Sequence, residues 1–362
     1  MRTLTCSFAL ALALPAALLA QKPTKTPKPE KADSLSLKPD TTPHKAAKLF
    51  RSREPLEMSL QADFKTVFRD RDSTSTKRYP AVLKYVGDKG DTVSLDVQLA
   101  TRGHFRLRTC EFTPLKVYFD KEKTKGTEFG GEGSLKLTPH CMRADRHTQN
   151  IYVEYAIYGM YNLLTPISLR ARLATITWID PNNPKFGLTR PGFWTQDEDD
   201  MAKTLKGKIL MQQGGHSEEM EPKQMTLTEM FQYMIGNTDF SLSYLHNYRI
   251  IQTDTSTSWY AMAYDFDWSG LVDAPYANPD YRLGIKRTTD RLYRGGCHDP
   301  AVLNEEVGLF KAKKDSIYGT LRDIKGLTPA RLKEAEEFLN DFYKDLNDPG
   351  TVKHVFNQPC QH

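Results

Sequence analysis

Residues 56–137 alternate apolar and polar positions with a period of two. Such alternation is typical of strands that bury one face, and Gly-rich turns at residues 87–90 and 130–133 separate the alternating segments. The pattern therefore predicts an antiparallel sheet. Its strands are expected at residues 56–68, 79–86, 92–101 and 115–119.

The later part of the chain has mainly helical periodicity. Pro166 ends the first helical segment, and Thr328 with Pro329 forms a strong start signal for the last one. One further strand is expected at residues 173–179. A sheet followed by helices predicts an α+β fold. The helical segments are residues 149–164, 225–235, 300–324 and 328–346.

Residues 235–270 contain the most informative polar positions. A strand-like run follows Asn247, a Thr/Ser turn comes next, and a second run leads to Asp265 and Asp267. Two such runs joined by a polar turn predict a hairpin, which would bring Asn247 close to Asp265. Amide and carboxylate oxygens suit a hard divalent cation, and Asp239 would lie nearby as a base.

The order Asp, Asn, hairpin, Asp-Phe-Asp is also the order in which protein kinases present a catalytic base and two metal ligands. One departure is visible. The spacing between Asp239 and Asn247 is longer than in the kinase catalytic-loop motif.

The phrases IGNTDFS…HN and YDFDWSG resemble the CotH (spore coat protein H) family of secreted, atypical protein kinases. Arg102-Gly103, the strand-like residues 114–120 and the helical residues 149–164 agree, and the resemblance covers roughly residues 56–296. It implies a kinase-like two-lobe architecture within the α+β class, with an antiparallel β N-terminal lobe and a mainly helical C-terminal lobe. It places residues 192–200 at the linker between the lobes.

The resemblance implies a phosphotransferase that moves a phosphoryl group from ATP to Ser or Thr of an exported protein, with Mg²⁺ or Mn²⁺. Asp239 would be the catalytic base. Glu154 would pair with a lysine that neutralises phosphate charge. That lysine is either Lys136, on the strand before the helix, or Lys116, in a Lys-rich strand. The expected metal ligands are Asn247, Asp265 and Asp267.

The start of the chain indicates export. Residues 1–20 have Arg2, an apolar run and small residues, the features of a cleaved signal peptide. Residues 21–48 read as a Lys/Pro-rich flexible linker, and residues 49–362 as the kinase-like domain, with lobes at about 49–190 and 191–362. No later stretch is long and apolar enough for a transmembrane segment. The expected location is secreted or cell-envelope.

The charge distribution argues against nucleic-acid binding. The net charge is +5, of which Arg2 contributes +1 and the linker, with seven lysines against three acids, contributes +4. The remainder is about neutral, so the domain carries no excess of basic residues for a phosphate backbone.

Four cysteines lie beyond the signal peptide, and four cysteines allow three connectivities. We favour Cys110–Cys141 and Cys297–Cys360, because each joins neighbours in the sequence. A zinc site is the alternative, but no CxxC spacing supports it.

Two other functions fit the same residues. ATP is scarce outside the cytoplasm, so a non-catalytic kinase-like binding or structural protein of the envelope is one alternative. A metal-dependent hydrolase that uses the same acidic pocket is another, with His246 and His298 as further ligands. The presence of the complete acidic set favours activity over the non-catalytic alternative.

Overall fold

The computed structural model of the protein describes residues 47–87, 90–254 and 256–357. The expected signal peptide and most of the expected linker lie outside these ranges. The described residues fall into two neighbouring hydrophobic clusters, one in a β-barrel and one among the helices and a small sheet.

Seven strands form a closed barrel in the order β1-β2-β3-β4-β5-β7-β6. Neighbours along the barrel are antiparallel, except that β1 and β6 run parallel and close it, with Met58 opposite Ile176. The strands are β1 Leu56–Gln61, β2 Tyr79–Val86, β3 Thr92–Thr101, β4 Leu115–Tyr118, β5 Ser134–Pro139, β6 Ala171–Ile179 and β7 Leu188–Thr195.

Large aromatic side chains fill the barrel cluster. Trp178 and Trp194 are fully buried there, and their rings contact Phe112 and Phe129 at centroid distances of 5.4 and 5.2 Å. These contacts explain why the strands bury alternate positions, since each strand turns its apolar residues toward this cluster.

The kinase-like two-lobe architecture is a wrong prediction, because the N-terminal sheet closes into a barrel and the chain has mixed α/β content. Alternation along single strands reports one buried face but does not show which strands pair. Closure depends on the long-range pairing of β1 with β6. Residues 192–195, expected in a linker between lobes, belong to β7, which pairs with both β5 and β6.

The helices surround the second cluster. Two short ones, α1 Phe64–Val67 and α2 Phe105–Thr109, lie between barrel strands, and α3 connects β5 to β6. Helix α3 packs against α6, which also packs against α5 and α7. The longer helices and the C-terminal ones are α3 Asp145–Leu164, α4 Glu198–Thr204, α5 Pro222–Ile235, α6 Pro300–Arg322, α7 Pro329–Asn347 and α8 Pro349–Asn357.

Capping residues explain where several helices begin. Helix α7 starts with Pro329 after Thr328, whose hydroxyl accepts a hydrogen bond from the Arg331 amide, which confirms the predicted start signal. Helix α5 ends at Gly236 in the left-handed conformation, with φ 64°. The carbonyl of Gly236 accepts from the Gly270 amide at 3.0 Å, which joins the end of α5 to the segment after Asp267.

A second sheet has three strands, β8 Gly207–Leu210, β9 Tyr248–Thr253 and β10 Trp259–Ala263, in the order β10-β9-β8. Strands β9 and β10 are antiparallel neighbours, with Tyr248 opposite Ala263. This pairing confirms the predicted hairpin.

The Cys110–Cys141 disulfide confirms the first predicted pairing. Cys360 lies outside the described residues, so the second pairing stays a prediction. Among the described residues, no helix has the length and apolar character needed to cross a membrane.

Candidate functional site

Asp239 lies on the segment that follows α5 and is held by two neighbours. The Asn247 amide nitrogen donates to the Asp239 carbonyl at 2.7 Å and to its carboxylate Oδ2 at 3.1 Å. His246 Nε2 lies 3.0 Å from the other carboxylate oxygen, and this hydrogen bond raises the pKa of His246. Asp239 remains one third exposed, so it is oriented but accessible.

The hairpin brings Asn247 and Asp265 to the same end of the small sheet. The Tyr264 amide donates to the Asn247 carbonyl at 3.1 Å, one residue before Asp265. Both Asn247 and Asp265 have left-handed backbones, with φ of 55° and 61°. Backbones of this kind are uncommon outside glycine and concentrate at functional sites, where the surrounding structure holds them.

Asp265 also belongs to a cluster of three acids around Arg106. The Arg106 guanidinium contacts Glu154 at 3.0 Å, Asp265 at 2.8 Å and Asp267 at 3.1 Å. The Asp265 side chain is 35% exposed, whereas those of Glu154 and Asp267 are 3% and 7% exposed. Asp265 is therefore the member of this acid cluster that reaches solvent.

Burial and the neighbouring charges move the pKa values of these acids in different directions. Burial raises the pKa of Glu154, and it raises that of Asp267 well above the ordinary range. Burial also raises the pKa of Asp265, but the positive charges of Arg106 and Arg102 outweigh it, and the result is a lowered pKa. Asp265 is thus the acid most readily ionised.

A group of cations lies near Asp265. Lys136, on β5, forms an ion pair with Glu198 of α4, and Arg249 lies 3.7 Å from the same carboxylate. Arg102 acts electrostatically on both Lys136 and Asp265, and its Nε is buried with no hydrogen-bond partner among the described residues. Burial and the Arg102 charge lower the pKa of Lys136. Around Lys136 there are therefore three cations and one acid, Glu198.

Glu154 and the two candidate lysines have different partners in the structure. Lys136 pairs with Glu198, and Glu154 pairs with Arg106, so the described structure does not join Lys136 to Glu154. Lys116 lies opposite Lys136 in the β4–β5 register, with its ammonium 5.4 Å from the Tyr118 ring centroid. The positive charge of Lys136 helps to lower the pKa of Asp265.

A cleft of about 690 Å³ opens at Asp239 and His246. It gives Asp239 access to a group much larger than water. Residues that line it include Asp239, Tyr244, His246, Trp268, Arg282 and Arg294.

His298, the other histidine considered for a metal, lies in a different polar network. Its ring nitrogens contact Thr226 at 3.0 Å and Tyr293 and Glu229 at 2.7 Å each. These partners are not members of the acid cluster, so His298 has the contacts of a buried structural histidine.

The oxygens of Glu154, Asp265 and Asp267 lie within 4.8 Å of one another, which is close enough to surround a metal ion. Arg106 already contacts all three, however. Asp267 is engaged by Arg106 and by the Tyr276 hydroxyl at 3.0 Å, so the exposed side of Asp265 is the part of the acid cluster that these partners leave open.

Sequence reasoning missed Arg106, Glu198 and Arg249. Arg106 pairs with acids 48 and 159 positions further along the chain, and nothing in the phrase TRGHFRLRT separates it from its exposed neighbour Arg108. Glu198 lies within residues 192–200, which the resemblance placed at the linker between the lobes, whereas in the structure it begins α4.

No family model matches the chain, and a search of curated proteins finds no match. The resemblance to the CotH family therefore remains a prediction from the quoted motifs.

Proposed function

We propose that the protein is a phosphotransferase that uses ATP with Mg²⁺ or Mn²⁺ and phosphorylates Ser or Thr of an exported protein. One observation carries the proposal. Asp239, held by Asn247, lies at the same end of the hairpin as Asp265 and the cations around Lys136, where these residues would act as base, metal ligands and phosphate contacts. Phosphoryl transfer needs these three parts, because its catalysis is mainly positioning and charge neutralisation.

Each residue has a role in the proposed reaction. Asp239 accepts the proton of the acceptor hydroxyl, whose oxygen bonds to the γ-phosphorus as the bond to the ADP oxygen breaks. Asn247 holds Asp239 in position through the 3.1 Å hydrogen bond. Lys136 and Arg102 neutralise phosphate oxygens.

Asn247 and Asp265 would hold the metal ion, which neutralises phosphate charge when bound. Asp265 suits this role because it is exposed and its pKa is lowered. Glu154 and Asp267, which face Arg106, support Asp265 rather than bind the metal.

Two features support an exported location. Residues 1–20 have the pattern of a signal peptide. The Cys110–Cys141 disulfide is typical of oxidising compartments.

A transfer assay tests the proposal. The chain without residues 1–20 is incubated with γ-labelled ATP, Mg²⁺ or Mn²⁺ and a fraction of exported proteins. We expect label on Ser or Thr, and a loss on the order of 100-fold or more in Asp239→Asn. Asp254→Asn, an exposed acid in the turn of the same hairpin, is the matched control and should transfer normally. Absence of transfer in the parent, or normal transfer by Asp239→Asn, would contradict the proposal. Nucleotide binding without transfer would indicate a non-catalytic binding protein.

A further inference from the structure

Arg106 has an unusual set of contacts for a single side chain. Its Nη1 lies 3.0 Å from Glu154 Oε2, and its Nη2 lies 3.2 Å from Glu154 Oε1 and 2.8 Å from Asp265 Oδ1. Its Nε lies 3.1 Å from Asp267 Oδ2. Both terminal nitrogens and Nε of the guanidinium thus contact carboxylates, and these belong to three different residues.

These contacts put Arg106 in the space that a metal ion would need. The three carboxylates offer oxygens within 4.8 Å of one another, a spacing suited to a divalent cation. Arg106 is buried among them and always carries a positive charge. Buried carboxylates require a counter-charge, and here Arg106 supplies it.

Covalent structure holds Arg106 in this position. Cys110 ends α2, the helix that carries Arg106, and Cys141 lies just before α3, the helix that carries Glu154. The disulfide between them therefore connects the two elements whose side chains form the bidentate pair. Such a connection restricts movement of Arg106 away from the acids.

We propose that Arg106 is the resident cation of the acid cluster and positions Asp265 from its buried side, so that only the exposed side of Asp265 accepts a metal ion. The catalytic consequence rests on the proposed function, whereas the occupancy of the cluster by Arg106 does not. It follows that one metal ion, rather than two, serves the proposed reaction. Arg106 is a positioning residue, since it acts through Asp265.

Thermal melting with Mn²⁺ alone, without nucleotide, tests the occupancy. The set is the parent, Arg106→Met, Arg106→Lys and Arg108→Ala, an exposed arginine of the same helix. In chelator, Arg106→Met should melt roughly 10 °C below the parent, because it removes the charge and keeps most of the volume. Millimolar Mn²⁺ should then raise its melting temperature by at least about 5 °C. Arg106→Lys should melt closer to the parent than Arg106→Met does.

The parent and Arg108→Ala should change by less than about 2 °C on addition of Mn²⁺ alone, because Arg106 already fills the cluster and the site on the exposed side of Asp265 is completed only when nucleotide phosphate oxygens are present. A large Mn²⁺ shift in the parent would overturn the proposal, and this test does not require any variant to fold. An Arg106→Met protein that melts like the parent and ignores Mn²⁺ would also overturn it.

The transfer assay separates positioning from general structural damage. We expect Arg106→Met to lose transfer at low Mn²⁺ and to recover at least tenfold at high Mn²⁺, when a second ion replaces the guanidinium. A purely structural defect would not recover in this way. If folded Arg106→Met shows no recovery of transfer at high Mn²⁺, the positioning role is overturned. If the parent itself shows no transfer, the proposed function fails, while the Mn²⁺ melting result still decides the occupancy.

Discussion

At the scale of residues, the candidate site depends on backbone conformations that most side chains avoid. Asn247 and Asp265 both have φ near 60°, and Leu245 has φ 53° in the same segment. A left-handed backbone at a residue other than glycine costs free energy, so the surrounding contacts must hold it. For Asn247 those contacts are the two hydrogen bonds to Asp239.

Substitutions at Asn247 should separate conformation from chemistry. Asn247→Gly adopts φ 55° without strain, whereas Asn247→Ala does not, so the glycine variant should be more stable by about 1 kcal/mol. Both variants lack the amide and should lose metal-dependent nucleotide binding. Urea unfolding gives the stabilities. Equal stability of the two variants would contradict the account of a strained backbone.

His140 should make the protein less stable in acid. It is fully buried, neither ring nitrogen has a hydrogen-bond partner among the described residues, and burial lowers its pKa to about 3. The unfolded chain binds a proton near pH 6.5 and the folded protein does not. Above that pH this group therefore does not lower the free energy of unfolding, and that free energy decreases as the pH falls from about 6.5 toward 3.

Between pH 7 and pH 5, this one group should cost about 2 kcal/mol of unfolding free energy. His140→Phe keeps an aromatic ring beside Phe112 and removes the titration. Its unfolding free energy should therefore fall by about 2 kcal/mol less than that of the parent over the same interval. Urea unfolding at the two pH values measures both proteins. An equal loss in both would show that His140 is not the cause.

Local and long-range contacts differ in how well the sequence predicts them. Asp239, Asn247 and Asp265 come together through one hairpin of adjacent strands, and the alternation and the polar turn are sufficient to predict it. The partner of Glu154 was not predictable in the same way. An arginine 48 positions earlier takes the place expected for a lysine, and only the three-dimensional structure, which brings Arg106 beside Glu154, selects it.

At the scale of elements, the disulfide joins the end of α2 to the segment just before α3. Cys110 and Cys141 are 31 positions apart, and their Cα atoms lie 4.6 Å apart. Closing a loop of this size restricts the unfolded chain, which stabilises the folded state. Because α2 carries Arg106, the same bond also affects the acid cluster.

Replacing both cysteines by alanine should therefore have two effects. The unfolding free energy should fall by roughly 3–4 kcal/mol. Transfer should fall as well, under conditions in which the variant is still folded, because Arg106 is less well held. Urea unfolding and the transfer assay are made on the same preparation. A variant with unchanged stability would contradict the structural role of the disulfide.

At the scale of the whole molecule, the fold differs from the prediction because of one pairing. Strand β6 begins more than a hundred positions after β1, yet the two run side by side and close the barrel. Alternation predicted β2 and β3 closely, and it also predicted a strand at β6. It could not predict closure, because an open sheet and a barrel have the same local pattern.

The central claim is that Asp265 holds a metal ion that binds nucleotide, while Asp239 serves the acceptor. Calorimetric titration with ATP and Mg²⁺ tests it most directly, on the parent, Asp265→Asn, Asp239→Asn and the control Asp254→Asn. We expect the parent, Asp239→Asn and Asp254→Asn to bind alike, and Asp265→Asn to lose metal-dependent binding. If Asp265→Asn binds nucleotide and metal as the parent does, the account of this site is wrong.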